Sequence, residues 1–133
     1  LNILQVMDMK SVVLKDDYIE ARIDITDFYD QSYGIVHGGL TITFAETLAG
    51  LGSKNILDED YMAVGQNITA NHLRPKKIGG FLQGTGRLIH RGKRTHLWTI
   101  EVKDEKNKLI SIVNVTNAIM ELYSTKVEKG DNR

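Results

Sequence analysis

The chain has 133 residues, 41% of them hydrophobic, with 17 Lys plus Arg set against 17 Asp plus Glu and no cysteine. That length and apolar content favour one domain with a proper core, and the even charge gives no global attraction to nucleic acid or to an anionic membrane. Zero cysteine excludes disulfide frameworks, thiolate zinc sites and cysteine nucleophiles, and fits a reducing compartment, the cytoplasm; no run approaches the ~20 apolar residues of a membrane span, and no secretory signal is expected.

In chain order, the first clear element is a strand over 18–25, where Ile19, Ala21, Ile23 and Ile25 alternate with Glu20, Arg22 and Asp24. A helix follows over about 38–55. Leu40, Phe44, Leu48 and Leu51 recur at helical spacing while Ile42, Ala45 and Ala49 fill other faces, so the helix belongs in a core. Strands are then predicted at about 61–74 and 80–89, split by Pro75 and the Gly79-Gly80 pair. A third, at 97–103, turns Trp98, Ile100 and Val102 one way; the polar run 103–108 makes a hairpin turn into a last strand at 109–122, which is apolar on both faces. Two strands, one buried helix and about four more strands give an α+β fold, a curved antiparallel sheet wrapped around the helix. Residues 1–123 form this single domain and 124–133 a polar tail.

Glu46 is the sole charge between Gly38 and Ser53. A carboxylate in a core costs several kcal/mol unless it is paired, and proteins exploit such acids as acid, base or nucleophile; on a wet helix edge it would be an ordinary solvated residue. Upstream, His37-Gly38-Gly39 opens the helix, whose first N–H groups have no intrahelical partner and suit a carbonyl oxygen gaining negative charge. The bland alternative is that the glycines only permit tight packing and that His37 caps the helix. Glu46 lies eight residues beyond Gly38, roughly 12 Å along the axis, too far for both to touch one reacting bond. If both act together, a two-fold homodimer is required, with two sites at once.

The segments QSYGIVHGGLTITFAETLAG, GQNITANHLRP and IHRGKRTHLWTIEVKDEKNKL resemble the hotdog-fold acyl-CoA thioesterases. The nearest group is the subfamily with a catalytic Glu, typified by Arthrobacter-type 4-hydroxybenzoyl-CoA and 1,4-dihydroxy-2-naphthoyl-CoA thioesterases. The resemblance implies that Gln31 and the Gly38 N–H hold the thioester oxygen, that His37 helps fix the site, and that Glu46 from the other subunit is nucleophile or general base. It implies no cofactor and a tetramer built from two dimers. Relatives often carry Ser or Thr one turn after the Glu; here that position is Gly50, and Thr47 is expected on another face. The stretch before the first strand is short, so the pocket wall that an N-terminal helix gives some relatives is expected to be missing.

Arg87, Arg91, Lys93 and Arg94 cluster around Gly92, and arginine forks suit the phosphates of coenzyme A; a charged hairpin turn is the alternative reading. Gly39, His72, Arg74 and His90 join Arg91, Lys93 and Arg94 as candidates for binding acyl-CoA, His72 being equally plausible as a structural histidine. Tyr33, Met62, Val64 and Phe81 are candidate walls for the acyl group. A non-catalytic acyl-CoA-binding module is the second reading. A metal hydrolase using His37, Glu46, His72 and His90 is a distant third, since no H-x-x-H or H-E-x-x-H spacing occurs.

Overall fold

The computed structural model describes residues 1–122. It contains a short helix α1 (Ile3–Met7), strands β1 (Lys10–Lys15) and β2 (Tyr18–Asp24), the long helix α2 (Gly38–Ile56), and strands β3 (Tyr61–His72), β4 (Phe81–Arg91), β5 (Thr95–Asp104) and β6 (Leu109–Glu121). The strands form one six-stranded sheet in the order β1-β2-β4-β5-β6-β3, and every neighbouring pair is antiparallel. The alternation predicts this antiparallel sheet around one long helix, and the resemblance implies its hotdog form. The polar tail from 124 onward lies outside the described residues. Among the described residues no helix is long and apolar enough to cross a membrane.

Alternation dictates the core. Ile19, Ala21 and Ile23 from β2, Leu82 from β4, Trp98, Ile100 and Val102 from β5, and Val113 and Val115 from β6 are all fully buried, and they meet Phe44, Ala45, Leu48 and Ala49 of α2. Each large side chain buried this way stabilises the fold by about 1.5–3 kcal/mol. The β5–β6 turn is set by Asp104, whose Oδ1 accepts from the N–H groups of Lys106 and Lys108, both at 2.9 Å.

The N-terminal wall expected to be missing is present as α1. Asn2 and Gln5 form a reciprocal capping box, which stabilises a helix of only five residues, and the Tyr29 hydroxyl donates to the Val6 carbonyl at 3.1 Å. The sequence reading overlooked it because five residues are too few for a periodic signal.

Strands β1 and β3 are the sheet's two edges. β3 spans twelve residues and carries a bulge at Gln66, between Gly65 and Asn67. A long unpaired edge is a template for another strand.

Candidate active site

The first turn of α2 presents one uncommitted N–H. His37 is the N-cap, with its own N–H donating to the Tyr29 carbonyl at 2.9 Å and its Nδ1 accepting from the Gly39 N–H at 2.9 Å. Accepting through Nδ1 puts the neutral ring's proton on Nε2. The Leu40 N–H goes to the His37 carbonyl at 3.0 Å, so among the described residues the Gly38 N–H is left without a partner. His37 therefore does cap the helix, and by taking Gly39 it singles out Gly38 as the available donor.

The His72 ring packs against Gly38 closely enough that a Cβ there would sit 2.9 Å from Nε2, while its Nδ1 lies 2.8 Å from Ser111 Oγ. Gln31, Gly38, His72 and Arg74 line one groove of about 380 Å³. The loop bearing Gln31 is shaped by Asp30, whose Oδ1 accepts from Ser32 and Gly34 N–H at 2.8 and 2.9 Å, holding Ser32 at φ +86°. Four of the residues predicted for the site thus meet, and His37 and Gly39 flank them.

Glu46 is elsewhere. It is exposed, not sealed in the protomer's core as the uncharged run suggested, because the sheet covers only one side of α2 and the ridge Ile42, Glu46, Gly50, Lys54 is left at the open edge. Its carboxylate lies over Gly65, where a Cβ would overlap it, and it has no hydrogen-bond or ion-pair partner among the described residues. It opens on a second groove, of about 750 Å³, walled chiefly by Leu4, Leu51, Leu57, Met62 and Ala63. Thr47 reaches this groove too, but its hydroxyl is spent on the Thr43 carbonyl at 2.7 Å. Gly50 leaves open space at the position one turn on.

Of the candidate acyl walls, Met62 lines the Glu46 groove and His72 the Gly38 groove. Tyr33 and Val64 are exposed, and Phe81 faces the other side of the sheet beneath the Arg22 guanidinium, 3.7 Å from the ring centre.

The basic cluster divides. Arg91, Lys93 and Arg94 line a third cavity, of about 630 Å³, at the C-terminal end of α2. There Arg91 donates to the Ile56 carbonyl at 3.1 Å, a favourable place for a cation. His90 lies over Gly92, and Arg87 turns away to the Tyr18 ring, 5.1 Å from its centre. Of the four residues weighed as metal ligands, His37 and His72 lie at the start of α2 while Glu46 and His90 lie elsewhere, and among the described residues no three His, Asp or Glu side chains are placed to hold a metal.

Three contributors escaped the sequence reading: Gly65 beneath Glu46, Lys76 beside the Gln31 loop, and Ser53. Ser53 Oγ accepts from Trp98 Nε1 at 2.9 Å and from Asn117 Nδ2 at 3.2 Å, and lies 2.8 Å from His96 Nδ1. With both lone pairs occupied, its proton must go to His96, which is therefore neutral with its own proton on Nε2. Burial, then the charges of Arg91 and His90, lower the His96 pKa. The available signal was phase: His96 falls in register with Trp98 and Ile100, and Asn117 with Val113 and Val115, polar residues at inward positions.

Residues 33–111 match the profile of the Thioesterase superfamily. A 1,4-dihydroxy-2-naphthoyl-CoA hydrolase of Listeria monocytogenes is 35% identical over 98 residues, 74% of this chain and 79% of the relative. A protein of the same name from Escherichia coli is 29% identical over 119 residues, 90% of this chain and 87% of its own. A thioesterase of Staphylococcus aureus, solved as a glutamine-to-alanine variant, superposes with a TM-score of 0.85 at 34% identity, covering 88% of this chain and 97% of its own. The same protein was also solved with a glutamate changed to alanine, fifteen positions further on.

Proposed function

The chain belongs to the thioesterase superfamily, and from that premise we propose that it hydrolyses acyl-CoA thioesters at two equivalent sites of a homodimer, each shared between subunits. The carbonyl oxygen accepts from the free Gly38 N–H and the Gln31 side-chain amide, with the dipole of α2 behind them. Glu46 of the partner subunit either attacks the carbonyl carbon, giving an anhydride that water then cleaves, or takes a proton from the attacking water. In both cases the C–S bond breaks and the coenzyme leaves as its thiolate, which takes up a proton from water to give the thiol.

The observation that carries this reading is the division of one chain into two grooves, one holding Gln31 and Gly38, the other Glu46. Neither is a complete site. Edge strand β3 runs beside both, with His72 against Gly38 and Gly65 beneath Glu46. A two-fold axis crossing β3 midway between them, near residues 68–69, brings each Glu46 opposite the other copy's Gly38. The glutamine and glutamate replaced in the S. aureus thioesterase have the same separation as Gln31 and Glu46, which supports assigning this pair. The apolar Glu46 groove takes the acyl group, aromatic in keeping with the naphthoyl-CoA relatives. His72, Arg74 and Gly39 receive the thiol arm, and His90, Arg91, Lys93 and Arg94 the phosphates. His37 sets the geometry of Gly38. No cofactor takes part, two dimers pair into a tetramer, and the enzyme works in the cytoplasm.

Mixed dimers test the shared site. Glu46→Ala and Gln31→Ala each lose thiol release from an aromatic acyl-CoA, but the heterodimer of the two variants contains one intact site and regains roughly half the wild-type rate. A heterodimer as inactive as its parents would rule out composition across subunits.

A further inference from the structure

Lys76 is a cation with 5% exposure that the reaction above does not use. Its ammonium donates to the Lys77 and Gly79 carbonyls, both at 2.6 Å, and pairs with Glu105 Oε1 at 3.0 Å, so all three of its donors are committed. Glu105, in the β5–β6 turn, also accepts from the Phe81 N–H at 3.4 Å. The Lys76 hydrogen bond is the leading reason the Glu105 carboxyl is held below the usual carboxylate range. Lys76 thus folds the segment 76–79 onto itself and staples it to a hairpin on a different part of the sheet.

The same segment holds the loop that carries Gln31. The Val36 N–H donates to the Lys76 carbonyl at 2.8 Å, the Ile78 N–H donates to the Gly34 carbonyl at 3.0 Å, and Ile35 bridges Lys77. Within the loop, the Gln31 N–H donates to the Ile35 carbonyl at 3.1 Å, and Val36 leads directly into His37, the cap of α2. A continuous set of directional bonds therefore runs from Glu105 through Lys76 to the backbone of Gln31 and His37. An apolar residue would fill the place of Lys76 without the desolvation cost of a buried ammonium, but it could not make these three bonds.

We propose that Lys76 and Glu105 are a positioning pair for the carbonyl-oxygen site, fixing the 31–37 loop so that the Gln31 amide and the Gly38 N–H converge on one oxygen. This rests on the reading of Gln31 and Gly38 as the oxygen's donors. Lys76 borders the Gly38 groove, but its ammonium is committed to the Lys77 and Gly79 carbonyls and to Glu105, so both residues act through the loop. Donors displaced by about 1 Å still allow the ground state to bind but cost about a hundredfold in the transition state, so the effect falls on kcat.

The test uses full-length Lys76→Met, Glu105→Ala and the double variant, measuring kcat and KM with one aromatic acyl-CoA, hydrogen exchange of the Val36 and Ile78 amides, and thermal melting. Glu105 is about a third exposed, so Glu105→Ala is the variant least able to disturb folding. The pair predicts a kcat at least tenfold lower with KM changed less than about threefold, faster exchange at both amides, and a double variant no worse than the worse single one. A lower melting temperature with wild-type kcat, or a loss of kcat with exchange unchanged, overturns the proposal while the thioesterase reading stands. A wild-type protein that releases no thiol from any acyl-CoA instead removes the site reading, and the positioning role with it.

Discussion

The fold treats two polar residues of helix α2, Ser53 and Glu46, in opposite ways. Ser53 is fully buried and has its hydrogen-bonding capacity filled by Trp98, Asn117 and His96, all from β5 and β6. Glu46, two turns earlier, is exposed and has no partner among the described residues. A polar group satisfied inside the protomer is part of the architecture. One that the protomer leaves unsatisfied, seated over a glycine that clears space for it, is available to something outside the protomer. The sequence cannot separate these cases, because both residues interrupt the same apolar run.

The largest expected effect comes from the open residue. Glu46→Gln should lower kcat for acyl-CoA hydrolysis by roughly 10²–10⁴-fold while moving stability by no more than about 0.5 kcal/mol, because no bond within the protomer is lost. Thiol-release kinetics beside chemical denaturation measure both; a comparable loss of stability would erase the contrast. Ser53→Ala should do the reverse. It strands the donors of Trp98 and Asn117 and the acceptor of His96 in the core, where each unsatisfied group costs about 1–3 kcal/mol, partly relieved by relaxation. Urea titration should show a destabilisation of about 2–4 kcal/mol, with kcat changed much less than in Glu46→Gln.

How legible the fold was depended on the length of each signal. Five strands and α2 were readable because period-two and period-3.6 patterns persisted over seven residues or more, whereas β1, six residues all exposed, was counted without being placed, and α1 was fixed by a local capping box too short to register as a pattern. In the candidate site, Gly38, His37 and Glu46 could be singled out from type and spacing alone. Lys76 was not, since its meaning depends on Glu105, brought close only when β4 and the β5–β6 turn come together. Gly65 was missed for the same reason, as it matters only beneath Glu46.

The smallest effect is a pH dependence confined to the closed end of the helix. His96 must stay neutral to accept the Ser53 proton, and its pKa is lowered by burial first and then by the nearby charges of Arg91 and His90. In the unfolded chain the ring titrates near its ordinary value, about 6.5. Above that pH both states are neutral and the bond contributes fully; as pH falls below it, the unfolded chain takes up a proton that the folded one refuses, and stability declines until the folded pKa is reached. The decline from this one ring cannot exceed about 1.4 kcal/mol per pH unit. Denaturation curves collected from pH 7.5 down to about pH 5 should therefore fall more steeply for the wild type than for His96→Asn. Parallel curves would mean that His96 already accepts a proton in the folded protein, and the closed end of the helix would then be less fully committed than its geometry indicates.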